Sequence, residues 1–191
     1  MQAAKAGAPP CIRGASYNRG MIKTLLLAAV VALSVSAHAD VFNVPELSLS
    51  VDAPEGFQRT SADIVALKWK QPPAFVVGNE RASTTIAADL KSDAIRPEQL
   101  GEAEKAFVDM FPKLMPGLKW VRHGLVTING RQWVQMEMTS PAMDTGLHNI
   151  MLMTSMSGRL LVLNFNSTDR DFPTMEAALR KSVASVKVSK R

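Results

Sequence analysis

The side chains with the widest chemical reach lie close together in the second half of the chain. Met136, Met138, Met143, Met151, Met153 and Met156 surround His148. Thioether and imidazole ligands suit Cu(I), so a periplasmic Met/His copper-binding protein is one chemistry this stretch permits. A metal site needs ligands converging on an accessible loop, and only Met143 and His148, flanking a loop over residues 140–147, meet that need. Met136 and Met138, like Met151 and Met153, instead alternate at strand spacing, which places them inside a sheet as adaptable fillers. Left exposed, the same thioethers would form an apolar surface able to repack around hydrophobic partners. Core packing is the expectation, with no metal and no cofactor.

Catalytic chemistry has little to stand on. Past residue 39 the only histidines are His123 and His148, and the only cysteine of the whole sequence, Cys11, comes earlier. There is no glycine-rich phosphate loop, no His-Glu-x-x-His, no cysteine cluster and no Gly-x-Ser-x-Gly elbow. A Ser-His-Asp triad needs one histidine only, so a small hydrolase built on His123 or His148 beside a carboxylate or hydroxyl stays as an alternative. The expectation is a protein that is not an enzyme, with no catalytic residues to assign. Trp69, Trp120 and Trp133 are expected to serve packing rather than a ligand. Asn166-Ser167-Thr168 matches a glycosylation acceptor, an incidental match in a chain with a leader of bacterial style.

That leader is the strongest signal. Met21-Ile22-Lys23 opens a basic segment, residues 25–33 are an unbroken apolar run, and Ala37-His38-Ala39 follows. This order is the one a signal peptidase reads, with cleavage between Ala39 and Asp40. The apolar run is about half the roughly 20 residues needed to span a bilayer, so a cleaved signal is expected rather than an anchor. Residues 1–20 are an extended N-terminus or precede the true start at Met21. No cysteine follows the apolar run, which excludes a lipoprotein. The expected location is the periplasm.

Trimming also changes the charge. Four of the 22 Lys and Arg (Lys5, Arg13, Arg19 and Lys23) precede Asp40, whereas none of the 17 Asp and Glu do, so the net charge falls from +5 to +1. Nucleic-acid modules are far more basic and gather the charge on one face. The residual excess at Lys187, Lys190 and Arg191 reads as a solvated terminus. Residues 40–191 have the size of one ordinary domain, expected to be monomeric and without a membrane span.

The elements that must position these side chains follow from periodicity. Leu47, Leu49 and Val51 alternate with polar residues as a half-buried strand, and residues 52–57 form a Pro/Gly turn. Strands are expected over Ile64–Lys70, ended by Pro72-Pro73, and over Ala82–Leu90, with residues 74–81 left open. Pro97 starts a helix whose stripe, Leu100, Ala103, Phe107, Met110 and Leu114, meets Pro112, so the helix should stop near Phe111. Asn129-Gly130 joins strands 118–128 and 131–139, and Ser157-Gly158 joins strands 148–156 and 159–166. A last helix spans Phe172–Val183 before a short extended tail, Ser185–Val188.

Several of these strands are apolar on both faces: Val134, Met136 and Met138 oppose Trp133, and Leu161, Leu163 and Phe165 oppose Leu160 and Val162. A sheet of that kind must be covered on both sides. The fold class is therefore α+β: an antiparallel sheet of about six or seven strands covered by helices on both faces, an α/β/α sandwich.

The Pro54-Glu55-Gly56-Phe57 turn after the opening strand, the helix preceding an Asn-Gly hairpin, and the closing strand, helix and Ser185-Val186-Lys187-Val188 tail resemble the PsbP/Mog1-like fold, especially its DcrB-like bacterial branch. The resemblance covers roughly residues 46–189. It implies a binding or assembly module that contacts a protein partner or an apolar ligand, and it implies no catalytic set.

Overall fold

A computed structural model describes residues 39–142 and 145–189. The order is β1 (Asp40–Val44), a 3-10 turn, β2 (Leu49–Ala53), β3 (Gln58–Arg59), α1 (Ala62–Lys68), β4 (Phe75–Gly78) and β5 (Thr84–Ala94). Then come α2 (Leu100–Leu114), β6 (Lys119–Ile128), β7 (Arg131–Pro141), β8 (Gly146–Met156), β9 (Arg159–Thr168), α3 (Phe172–Ser185) and β10 (Lys187–Val188). Seven strands form one antiparallel sheet in the order β3-β4-β5-β9-β8-β7-β6, and β1-β2-β10 form a second, smaller one. The long hairpins β6–β7 and β8–β9 turn on Asn129-Gly130 and Ser157-Gly158, all four residues with positive φ. Two consecutive left-handed residues match the right-handed twist of the flanking strands, and an Asn-Gly pair adopts them at least cost.

Because side chains alternate along a strand, the large sheet feeds two cores. Trp133, Ile150, Leu152, Leu161, Leu163 and Phe165 pack with Leu179 and Val183 of α3 and with Leu49 and Val51 of β2. On the other face Val134, Met136, Met138, Met153 and Leu160 pack with Leu100, Phe107 and Phe111 of α2. The α+β architecture matches the sandwich expected from two apolar faces, with the three-stranded sheet joining α3 as part of one covering layer.

Two local expectations are corrected, and one stretch left open is filled. Ile64–Lys70 is not a strand: residues 62–68 form α1, because the Ser61 hydroxyl caps the Ile64 N–H and Asp63 favours the first turn. The β-branched pair Ile64-Val65 imitates a strand signal, but the capping residue decides. Helix α2 does not stop near Phe111, since Pro112 falls in its last turn, where it removes a single intrahelical bond and the Met115 N–H still closes on the Phe111 carbonyl at 2.8 Å. Residues 74–81, left open, contain the fully buried strand β4.

Candidate functional site

The predicted site residues are dispersed across this frame. Met136, Met138 and Met153 are buried, Met151 is half-buried, and all four belong to the α2-side core. Met156 is buried in the α3-side core. His148 also faces α3, its ring stacked on Phe172 at 3.5 Å between centroids and 8° between planes. The thickness of the sheet therefore separates His148 from the four α2-side methionines, and Met143 lies outside the described residues. Among the described residues no three His, Asp or Glu side chains gather as metal ligands. Ala37 and the rest of the leader lie outside the described residues too, whereas Ala39 is exposed and β1 begins at Asp40.

His148 belongs to a charged knot that the sequence did not announce. Glu137 of β7 is fully buried beneath α3. Arg180 of α3 donates from Nη2 to its Oε1 at 2.8 Å and from Nη1 to its Oε2 at 3.1 Å. Arg122 Nε reaches Oε2 at 2.6 Å, and His148 Nε2 lies 2.8 Å from Oε1. Glu176 takes two further bonds from Arg180 one helical turn away. Burial pushes the Glu137 carboxyl up, but hydrogen bonds from Arg180 and His148 and the charges of Arg122 and Arg180 outweigh it, bringing it down to about 2. The bond to Glu137 in turn raises Arg180. A carboxylate with both oxygens engaged on three partners is a poor proton acceptor, so this arrangement is a clasp holding α3 to the sheet.

His123, on the opposite face, pairs through Nδ1 with Glu104 of α2 and meets Trp120 edge-on. Trp120 stacks on Phe111, and Trp133 is buried in the α3-side core. Neither histidine lines any of five clefts on the surface of the described residues. The glycosylation match falls inside β9, where Asn166 Nδ2 donates to Asn149 Oδ1 at 2.6 Å.

Two surface features remain. The first is an apolar margin: of the six large apolar side chains left exposed among the described residues, Met110 and Leu114 sit on α2 and Val121 and Leu125 on β6. These two elements pack together, and β6 is an edge strand of the large sheet. Val121 is the extra residue where the β6–β7 register shifts, a bulge of the kind that blunts edges. The second is a cleft of about 200 Å³ on the α2 side of the central strands, with Trp69, Pro73, Met151, Val162 and Asn164 among its lining. Trp69 and Trp120 are both half-buried, and Trp69 borders this cleft. No motif marks this cleft in the sequence. Asn164, an asparagine on a sheet face, is the one lining residue that stands out in the sequence.

With its seven-stranded antiparallel sheet, its second small sheet and its helices, the chain has the PsbP/Mog1-like fold. It is similar to cyanobacterial PsbP (CyanoP) from Synechocystis sp. PCC 6803, with TM-score 0.56 and 11% identity over 85% of this chain and 99% of that one. LpqN, involved in cell envelope biogenesis of Mycobacterium tuberculosis, is similar with TM-score 0.51 and 14% identity over 74% of this chain and 83% of that one. A protein of Bacteroides thetaiotaomicron matches with TM-score 0.54 and 11% identity over 81% of this chain, which spans about 50% of that longer one. No protein-family profile and no curated protein matches the sequence. At these identities the likeness is one of fold, and none of the three is named for a catalytic activity.

Proposed function

We propose that this chain is an exported accessory protein of a bacterial envelope that binds a protein partner or an apolar ligand and catalyses no reaction. The apolar margin carries the reading. Exposed large apolar side chains on a soluble domain are ordinarily scattered singly, whereas four of the six here lie on two adjoining elements, α2 and β6. An edge strand flanked by apolar side chains is a ready place for another chain to dock. Export is supported by the leader and its Ala37-His38-Ala39 site, and by the start of β1 at Asp40, where cleavage would leave every described strand and helix intact. The similarity in fold to an envelope-biogenesis protein agrees with that location. No helix of the described residues is long and apolar enough to cross a membrane.

Native and denaturing mass spectrometry of the protein recovered from a bacterial periplasm tests both halves. The expected outcome is a chain beginning at Asp40 that carries a bound partner or lipid, lost on changing Leu114 or Val121 to a charged residue. A chain that retains residues 21–39 in the cytoplasm would contradict export.

A further inference from the structure

The sequence contains one Asn-Gly pair, Asn129-Gly130, at the tip of the β6–β7 hairpin. The pair that suits the turn is also the most reactive amide in the chain. With no side chain on Gly130 to obstruct it, the Gly130 nitrogen can attack the carbonyl carbon of the Asn129 side chain. A bond forms from Gly130 N to Asn129 Cγ, the bond from Cγ to Nδ2 breaks, and ammonia leaves with the proton that Gly130 N gives up. Water then opens the cyclic imide to aspartate or isoaspartate. Water reaches the turn, because Asn129 is exposed and the space beside Gly130 is open. Past residue 39 the other asparagines precede Val44, Glu80, Ile150, Phe165 and Ser167, whose side chains hinder the same attack.

The fold holds the reactive amide in another contact. Asn129 Nδ2 donates to the carbonyls of Ala184 and Val186 at 3.0 and 2.9 Å. Ala184 lies in the last turn of α3, where carbonyls lack intrahelical donors, and Val186 is the buried residue that ends the helix. Asn129 therefore caps the end of α3 from a distant hairpin.

We propose that Asn129 is a deamidation site gated by the end of α3, and that its conversion releases that end. To bring Cγ onto Gly130 N the side chain has to turn, and turning it parts both bonds to α3. The product reverses the contact: a carboxylate donates no hydrogen bond, and at position 129 it sets negative charge against two carbonyl oxygens. Isoaspartate also adds a main-chain carbon to a two-residue turn that sets the register of β6 with β7. Val186 leads directly into β10, which pairs with β2, so the loosened stretch runs from the last turn of α3 into the small sheet.

Peptide mapping by mass spectrometry of the purified protein, aged with and without denaturing urea, tests the gate. In urea Asn129 should convert before any other asparagine. In the folded protein it should convert about 5- to 150-fold more slowly, the range that two net hydrogen bonds give. Amide hydrogen exchange on the aged protein should quicken at residues 184–188 and stay unchanged in β8 and β9. Asn129→Asp keeps a residue that tolerates positive φ but lacks the donor. It should show the same faster exchange and unfold about 4 °C lower, and it carries the test of release if the native protein converts too little to measure. Equal rates with and without urea, or another asparagine converting first, would overturn the proposal. So would a native rate slowed well beyond that range, which would make global unfolding the gate, or exchange at residues 184–188 that Asn129→Asp leaves unchanged.

Discussion

Glu137 is the residue on which most charge in the interior converges. Its carboxyl titrates near 2 in the folded chain against 4.5 for the free group. The unfolded state therefore binds more protons between those values, and stability rises with pH across that window. The contribution is complete above about pH 4.5 and is lost as pH falls toward 2. It amounts to at most about 3 kcal/mol, using 1.36 kcal/mol per pKa unit. Glu137→Gln should cost about 1–3 kcal/mol at pH 7, less than for a fully buried pair, because Arg122 and Arg180 are partly exposed and can turn to water. Urea titrations of both proteins at pH 7 and pH 3 check this, and the difference between them should shrink at the lower pH. Nothing at the level of sequence pattern distinguishes Glu137 from a solvated glutamate. It sits between Met136 and Met138 on an alternating strand, and its partners Arg122, His148 and Arg180 come from β6, β8 and α3, far from it in sequence. His148 shares that blind spot: its place near methionines in sequence suggests a soft-metal ligand, but one residue of strand parity turns it to the other face.

Among the elements, the hairpins are the best determined by local sequence. Asn129-Gly130 specifies a two-residue turn, and the strands on either side pair in the register that turn imposes, as far as Leu125 with Val134 and beyond. The same asparagine does a second job hidden from local reading. Its Nδ2 donates to the carbonyls of Ala184 and Val186 at 3.0 and 2.9 Å, tying the turn to the C-terminal end of α3. Asn129→Ala should therefore lose both the tolerance for positive φ and these bonds, lowering stability by about 2 kcal/mol in thermal unfolding. Asn129→Gly, which keeps the backbone freedom, should recover about half. The short elements were harder to read. Helix α1 has no buried residue, so no apolar stripe marks it, and its start is marked only by the Ser61 cap and Asp63 in the first turn. Pro112 misleads in the other sense, because a proline's cost depends on which turn of the helix it occupies, and that turn is set by where α2 packs on β6 and β7.

Over the whole molecule, the layered arrangement was legible because strands apolar on both faces leave little choice but two covers. The position of the surface sites was not, because exposure is decided by what the covers fail to reach. Methionines 136, 138 and 153 illustrate the first point and Leu114 and Val121 the second: all are apolar at sequence level, yet α2 buries one set and leaves the other at its edge. Leu114→Asp and Val121→Lys should each shift stability by no more than about 0.5 kcal/mol, as exposed substitutions do, while removing the partner recovered with the native protein. Thermal unfolding together with native mass spectrometry separates the two effects. The central claim, an exported domain that docks through the α2/β6 margin, is tested most directly by photo-crosslinking in intact cells. A crosslinking residue at Val121 or Leu125 is compared with one at exposed Leu67 on α1. The account predicts one discrete periplasmic adduct, on a chain beginning at Asp40, from the β6 positions and none from Leu67. The same adducts from all three positions, or none from any, would contradict it.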